Sequence, residues 1–195
     1  DINRFNRNVV LRGNIPARGY YEYRGLNLIL SSYSMSEANM ADYIHRIEEF
    51  EPDYIQAYPS SIGILSNFIL RRGIKLKVKK LKAVICTSEN LYSFQRQSIQ
   101  EAFGVRVYSF YGHTERSCLA GECEKNTDYH LVSEYGYTEL MNADGRTASA
   151  ENEAGEIVCT GFNNYVMPFI RYRTGDIAIN TKAECSCGRN YKLIK

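Results

Sequence analysis

The stretch Tyr111-Gly112-His113-Thr114-Glu115 puts a glycine, a hydroxyl and a carboxylate side by side. Gly112 lets the backbone turn sharply or approach a ligand closely. Thr114 offers a hydroxyl to a phosphate oxygen, and Glu115 offers hard oxygens to a cation such as Mg2+. The plain alternative is a strand-to-loop turn with an exposed glutamate. A second stretch, Arg171-Tyr172-Arg173-Thr174-Gly175-Asp176, brings two arginines that suit phosphates by charge-assisted bonds. Its carboxylate, after a Thr-Gly turn, can accept both hydroxyls of a ribose. A hairpin turn with flanking surface charges is the alternative there. Gly155-Glu156-Ile157-Val158-Cys159-Thr160-Gly161 reads as a strand bracketed by glycines. A fourth group is built on sulfur. Cys123, His130, Cys185 and Cys187 supply the four nitrogen and sulfur ligands of a tetrahedral zinc site, with Cys118 as a substitute for His130. The alternative is four unrelated side chains in a reducing compartment. His113 is a candidate for touching substrate, and Cys86 and Cys159 read as packing residues.

The elements that must hold these residues follow from periodicity. Asn27–Ser31 is a compact apolar strand, and Ser34-x-x-Glu37 predicts a capping box. Met40, Tyr43, Ile44, Ile47 and Phe50 recur at helical spacing, with Pro52 as the stop. His45 falls on the solvent side of that helix. Asp53–Tyr58 is the next strand. Pro59 opens a helix whose stripe is Ile62, Leu65, Phe68 and Ile69, closed by Gly73. The basic run Lys75–Lys82 is a solvated connector into a third strand, Leu81–Cys86. A helix over 91–103 and the strand Val105–Phe110 complete the series, so Tyr111 lies at a strand's carboxyl end, where ligands of open α/β sheets gather. Residues 1–25 read as irregular or short-strand structure. Beyond residue 128 the pattern becomes strand and turn, with strands over 130–135, 137–141, 155–160 and 176–180. The expected fold class is therefore α/β: a mostly parallel βαβ sheet over 1–127, then a small antiparallel β-barrel-like subdomain over 128–195.

Composition narrows the function. A net charge of +2 argues against a nucleic-acid partner. No run of about eighteen apolar residues occurs, so no membrane span is expected. Six cysteines without a secretory signal point to a reducing, cytoplasmic setting. The opening Asp1-Ile2-Asn3-Arg4 has no initiator Met, as expected of a piece of a longer protein.

Taken in order, Tyr-Gly-x-Thr-Glu, Gly-Glu-Ile-x-x-x-Gly and Tyr-Arg-Thr-Gly-Asp resemble the motifs of the adenylate-forming superfamily. Tyr58-Pro59-Ser60-Ser61, Thr87-Ser88-Glu89, Met167–Tyr172 and Cys185-Ser186-Cys187-Gly188-Arg189 resemble its phenylacetate–CoA ligase and CapK-like branch. That resemblance implies part of an acetyl-CoA-synthetase-like N-terminal domain. It implies a ligase that joins a small carboxylic acid to ATP, giving an acyl-adenylate, then passes the acyl group to coenzyme A or a carrier protein. By the same resemblance Thr114 meets a phosphate, Glu115 ligates Mg2+ and Tyr111 lies against adenine beside the Ser88–Glu89 turn. Asp176 takes the ribose, with Arg173 nearby. Tyr20–Tyr23 and Tyr58–Ser61 are candidates for the acyl pocket. The family's glycine-rich phosphate loop and its lysine-bearing C-terminal domain are expected outside this stretch. On its own, the 195-residue stretch is then expected to bind adenine nucleotide weakly and to form no adenylate. The rival reading is a non-catalytic CapK-like module of capsular polysaccharide synthesis. Oligomeric state is left open.

Overall fold

The computed structural model describes residues 6–13 and 19–195. The readings for residues 1–5 and 14–18 lie outside the described residues. The chain divides into two compact units, Asp1–Tyr108 and Ser109–Lys195.

In the first unit, β1 (Asn8–Arg12), β2 (Tyr21–Arg24), β3 (Asn27–Ser31), α1 (Met40–Phe50), β4 (Tyr54–Ala57), α2 (Pro59–Arg71), β5 (Ala83–Cys86) and α3 (Ser93–Phe103) follow in turn. The strands lie in the order β5-β4-β1-β3-β2. The β1–β3, β1–β4 and β4–β5 pairs are parallel, and only β2–β3 is antiparallel. α1 buries Met40, Tyr43, Ile44, Ile47 and Phe50, the spacing that defines one face. His45 is exposed, as expected. The helix ends at Glu51, forced to a φ of 48° ahead of Pro52. α2 starts on Pro59, where a missing N–H costs nothing. Leu28, Leu30, Ile55, Ile62, Leu65 and Val84 are fully buried and fill the space between sheet and helices.

One reading of this unit is corrected: the Ser34–Glu37 capping box does not form. The Asn39 side chain instead braces the loop ahead of α1, accepting from Ser36 N–H at 2.8 Å and donating to the Ser34 carbonyl at 2.7 Å. Residues 8–12 form one of the short strands expected over 1–25: β1 is the middle strand, with Val9 and Leu11 fully buried.

The second unit holds the end of β6 (Arg106–Gly112), which pairs antiparallel with β7 (Leu119–Gly121). β8 (Tyr129–Leu131) continues that sheet, and β12 (Leu193–Ile194) closes it. A separate antiparallel sheet takes the order β11-β10-β9. Here β9 is Gly136–Met141, β10 is Ala154–Gly161 and β11 is Tyr172–Ile179. Cys118, Ala120, Leu140, Ile157 and Cys159 form its core, so Cys159 is a packing residue as expected. β11 begins at Tyr172 rather than at Asp176. Among the described residues no helix is long and apolar enough to cross a membrane.

Candidate functional site

The Thr-Gly-Asp turn proves to be a bulge inside β11. The register against β10 slips between Glu156 and Val158. Gly175 adopts a φ of +79°, a conformation other residues rarely take. Thr174 Oγ1 donates to the Ile157 carbonyl at 2.9 Å and accepts from Asp176 N–H at 3.1 Å. Glu156 accepts the Gly175 N–H at 3.2 Å and also holds Arg173. A bulge re-aims the side chain that follows it. That side chain is Asp176, whose Oδ2 accepts the Tyr111 hydroxyl at 2.7 Å. Burial, then this bond, raises the Tyr111 phenol well above its ordinary pKa, so it stays a donor.

The loop after β6 joins the same network. Tyr172 donates to Glu115 Oε1 at 3.1 Å. His113 Nδ1 lies 3.2 Å from Glu115 Oε2. The His113 ring sits 6.0 Å from both the Tyr111 and Tyr172 rings. The Glu115 carboxyl is held below the usual carboxylate range, first by its own backbone N–H and then by Tyr172. It is therefore an anion at neutral pH, as a hard-cation ligand must be. The loop is seated by glycines. A Cβ on Gly136 would come 2.2 Å from the Ser117 carbonyl oxygen, and one on Gly161 would come 2.9 Å from Ser117 Cα. Gly136 and Gly161 face each other across β9 and β10, and Ser117 is fully buried against them. Thr114, Glu115, Asn163, Met167 and Phe169 line a cavity of about 630 Å³.

The chain is 26% identical over 182 residues to a phenylacetate–coenzyme A ligase of Thermus thermophilus, covering 92% of this chain and 40% of that protein. It is 29% identical over 146 residues to the Pseudomonas putida phenylacetate–coenzyme A ligase, covering 73% and 33%. It is 26% identical over 149 residues to protein CapK of Staphylococcus aureus, covering 76% and 31%. The chain is thus similar to phenylacetate–coenzyme A ligases and to protein CapK over most of its own length. It spans less than half the length of these relatives. The fold agrees: 2-hydroxyisobutyryl-CoA ligase, solved with its acyl-AMP and coenzyme A, superposes with a TM-score of 0.73 at 19% identity, over 96% of this chain and 43% of that one. No family model matches the chain.

Other predicted residues of this branch find varied places. In the first unit Ser88 takes a φ of 68°, and Glu89 accepts the Ser60 N–H and hydroxyl, both at 2.9 Å, at the start of α2. Tyr20, Tyr21 and Tyr23 pack on α1: Tyr20 stacks on Tyr43 at 5.1 Å, and Arg46 covers Tyr21 at 3.4 Å. Arg171 and Arg173 are each tied to an acid, Glu139 and Glu156. Both arginines line a different cavity, of about 580 Å³, from the one at Thr114 and Glu115. Sequence reasoning named no role for Tyr172 or Glu156. The only signal for Tyr172 was its place in the Tyr-Arg-Thr-Gly-Asp motif.

The sulfur group does assemble. The ligand atoms of Cys123, His130, Cys185 and Cys187 lie within 4.8 Å of one another. Cys118 is placed elsewhere, its sulfur accepting the Thr138 hydroxyl at 3.3 Å within the core.

Proposed function

We propose that this chain is part of an ATP-dependent ligase that activates a carboxylic acid as its adenylate and transfers it to coenzyme A. The carrying observation is the 2.7 Å bond between Tyr111 and Asp176, residues 65 apart in sequence, at the two motifs that this reading needs together. In this reading Asp176 accepts the ribose hydroxyls and Tyr111 backs the base. Thr114 donates to the α-phosphate. Glu115 holds Mg2+, which would neutralise charge developing on the phosphates. The substrate carboxylate attacks the α-phosphorus, an acyl–phosphate bond forms and pyrophosphate leaves. The coenzyme A thiol then attacks the acyl carbon and AMP departs. The protein's part is orientation and fixed charge rather than covalent chemistry. Arg173 lines a separate cavity and is left out of this site.

The test is ATP–pyrophosphate exchange by the full-length protein across a panel of aryl and acyl acids. Exchange that depends on one class of acid supports the reading. Absence of exchange with every acid, alongside intact AMP binding, supports a non-catalytic role instead.

A further inference from the structure

We infer that Cys123, His130, Cys185 and Cys187 bind one structural zinc ion. Zinc bond lengths of about 2.3 Å to sulfur and about 2.0 Å to nitrogen set tetrahedral ligand–ligand edges of roughly 3.5–3.8 Å. Cys123 Sγ stands 3.5 Å from Cys185 Sγ, and Cys187 Sγ stands 3.8 Å from His130 Nε2.

All four ligand atoms lie within 4.8 Å of one another, so a single ion can reach every one of them. The Lys125 N–H donates to Cys123 Sγ at 3.3 Å and holds that side chain at the cluster. Gly188, at a φ of +78°, makes the turn that follows Cys187. His130 is 4% exposed, and its Nδ1 makes no hydrogen bond. Its Nε2 faces the sulfurs, so the cluster is the ring's polar anchor.

Soft sulfur with imidazole selects zinc over Mg2+ or Ca2+. Four protein ligands leave no open position, which makes the ion structural rather than catalytic. The ion joins the loop after β7, strand β8 and the turn before β12. β12 has only two residues, and Leu193 pairs with His130 itself. The Arg189–Glu124 ion pair, at 2.9 Å, closes the outside of the cluster. The ion thus fastens a strand too short to hold by its own ladder. The site stands independently of any ligase activity.

The experiment is metal analysis of protein purified without added zinc, followed by X-ray absorption at the zinc edge. Close to one zinc per chain, bound by three sulfurs and one nitrogen, is expected. Cys187→Ser and His130→Ala should lose the metal and lower Tm, while His130→Cys and the distant Cys86→Ser should keep it. Folded protein with under about 0.2 zinc per chain overturns the inference. So does any other ligand set in the absorption spectrum, a reading that needs no variant to fold. Unchanged Tm after chelation and dialysis overturns it as well.

Discussion

Replacing Asp176 by asparagine isolates the charge that the proposed ribose contact needs. The amide oxygen keeps an acceptor for the Tyr111 hydroxyl, which lies 2.7 Å away in the wild type. A carboxylate has about four lone-pair sites, so one phenol leaves room for two ribose hydroxyls. Bonds to a charged acceptor contribute about 1.5–3 kcal/mol, against about 0.5–1.5 for neutral ones. Two bonds would lose about 2 kcal/mol at full strength. Asp176 is exposed, and solvent screening cuts that toward about 1.4 kcal/mol, or tenfold. The expected result is a KM for ATP raised about tenfold, with kcat changed less than about threefold, because the ribose is held alike in ground and transition states. Tm should move by less than about 2 °C, since the side chain is at the surface. The assay is pyrophosphate exchange over a range of ATP in the full-length protein. A KM within about twofold of wild type, in folded protein, would refute the assignment of Asp176 to the nucleotide.

Gly136→Ala forces a methyl group against the Ser117 and Thr160 carbonyl oxygens, 2.2 and 2.9 Å away, and should displace the Thr114–Glu115 loop. Overpacking of this kind costs about 1–3 kcal/mol, so urea melts should show the loss, and exchange activity should fall further than Gly145→Ala at an open turn. Tyr43→Phe removes a buried hydroxyl that donates to the Ser31 carbonyl at 2.8 Å, and should destabilise by about 1–2 kcal/mol in urea with m unchanged. Asp53 is held below its ordinary pKa by Lys82, then by the Arg7 N–H. Its folded pKa is depressed, so its contribution is present above the unfolded value of about 3.9 and disappears as pH falls through the folded one. The gap in urea midpoint between wild type and Asp53→Asn should therefore be constant from pH 7 to about 5 and close in stronger acid; a gap that persists unchanged in acid would contradict it.

The sequence was legible where one face of a periodic element meets the core. α1 and α2 bury the residues their spacing named, because a helix's stripe is written in consecutive turns. β1 was illegible for the opposite reason. It is only five residues long, and Asn8 and Arg12 at its ends look like loop, so it could be read no further than as irregular or short-strand structure. Ser34 and Glu37 show how a local signal yields to a competing one: the helix starts later than they imply, and Asn39 braces the loop through the Ser36 N–H and the Ser34 carbonyl. The sulfur cluster was readable as a ligand set, since cysteine and histidine have few other reasons to converge. Its hydrogen-bonded backbone was not.

The candidate site divides along the same physical line. Its residue types were visible as motifs, but its working contacts are tertiary. Asp176 reaches Tyr111 only because the turn at Gly175 absorbs two extra residues in β11 while Glu156 and Thr174 pin the backbone on either side. Glu115 reaches Tyr172 only because Gly136 and Gly161 leave space for Ser117 behind the loop. In each case the acid is the residue a motif search finds, and the glycine is what aims it. Gly161, which closes the Gly-Glu-Ile-x-x-x-Gly stretch, is therefore part of the site's geometry, although it need not touch a ligand. A substitution at Gly161 should act on Glu115, across the sheet, before it acts on the strand that carries it.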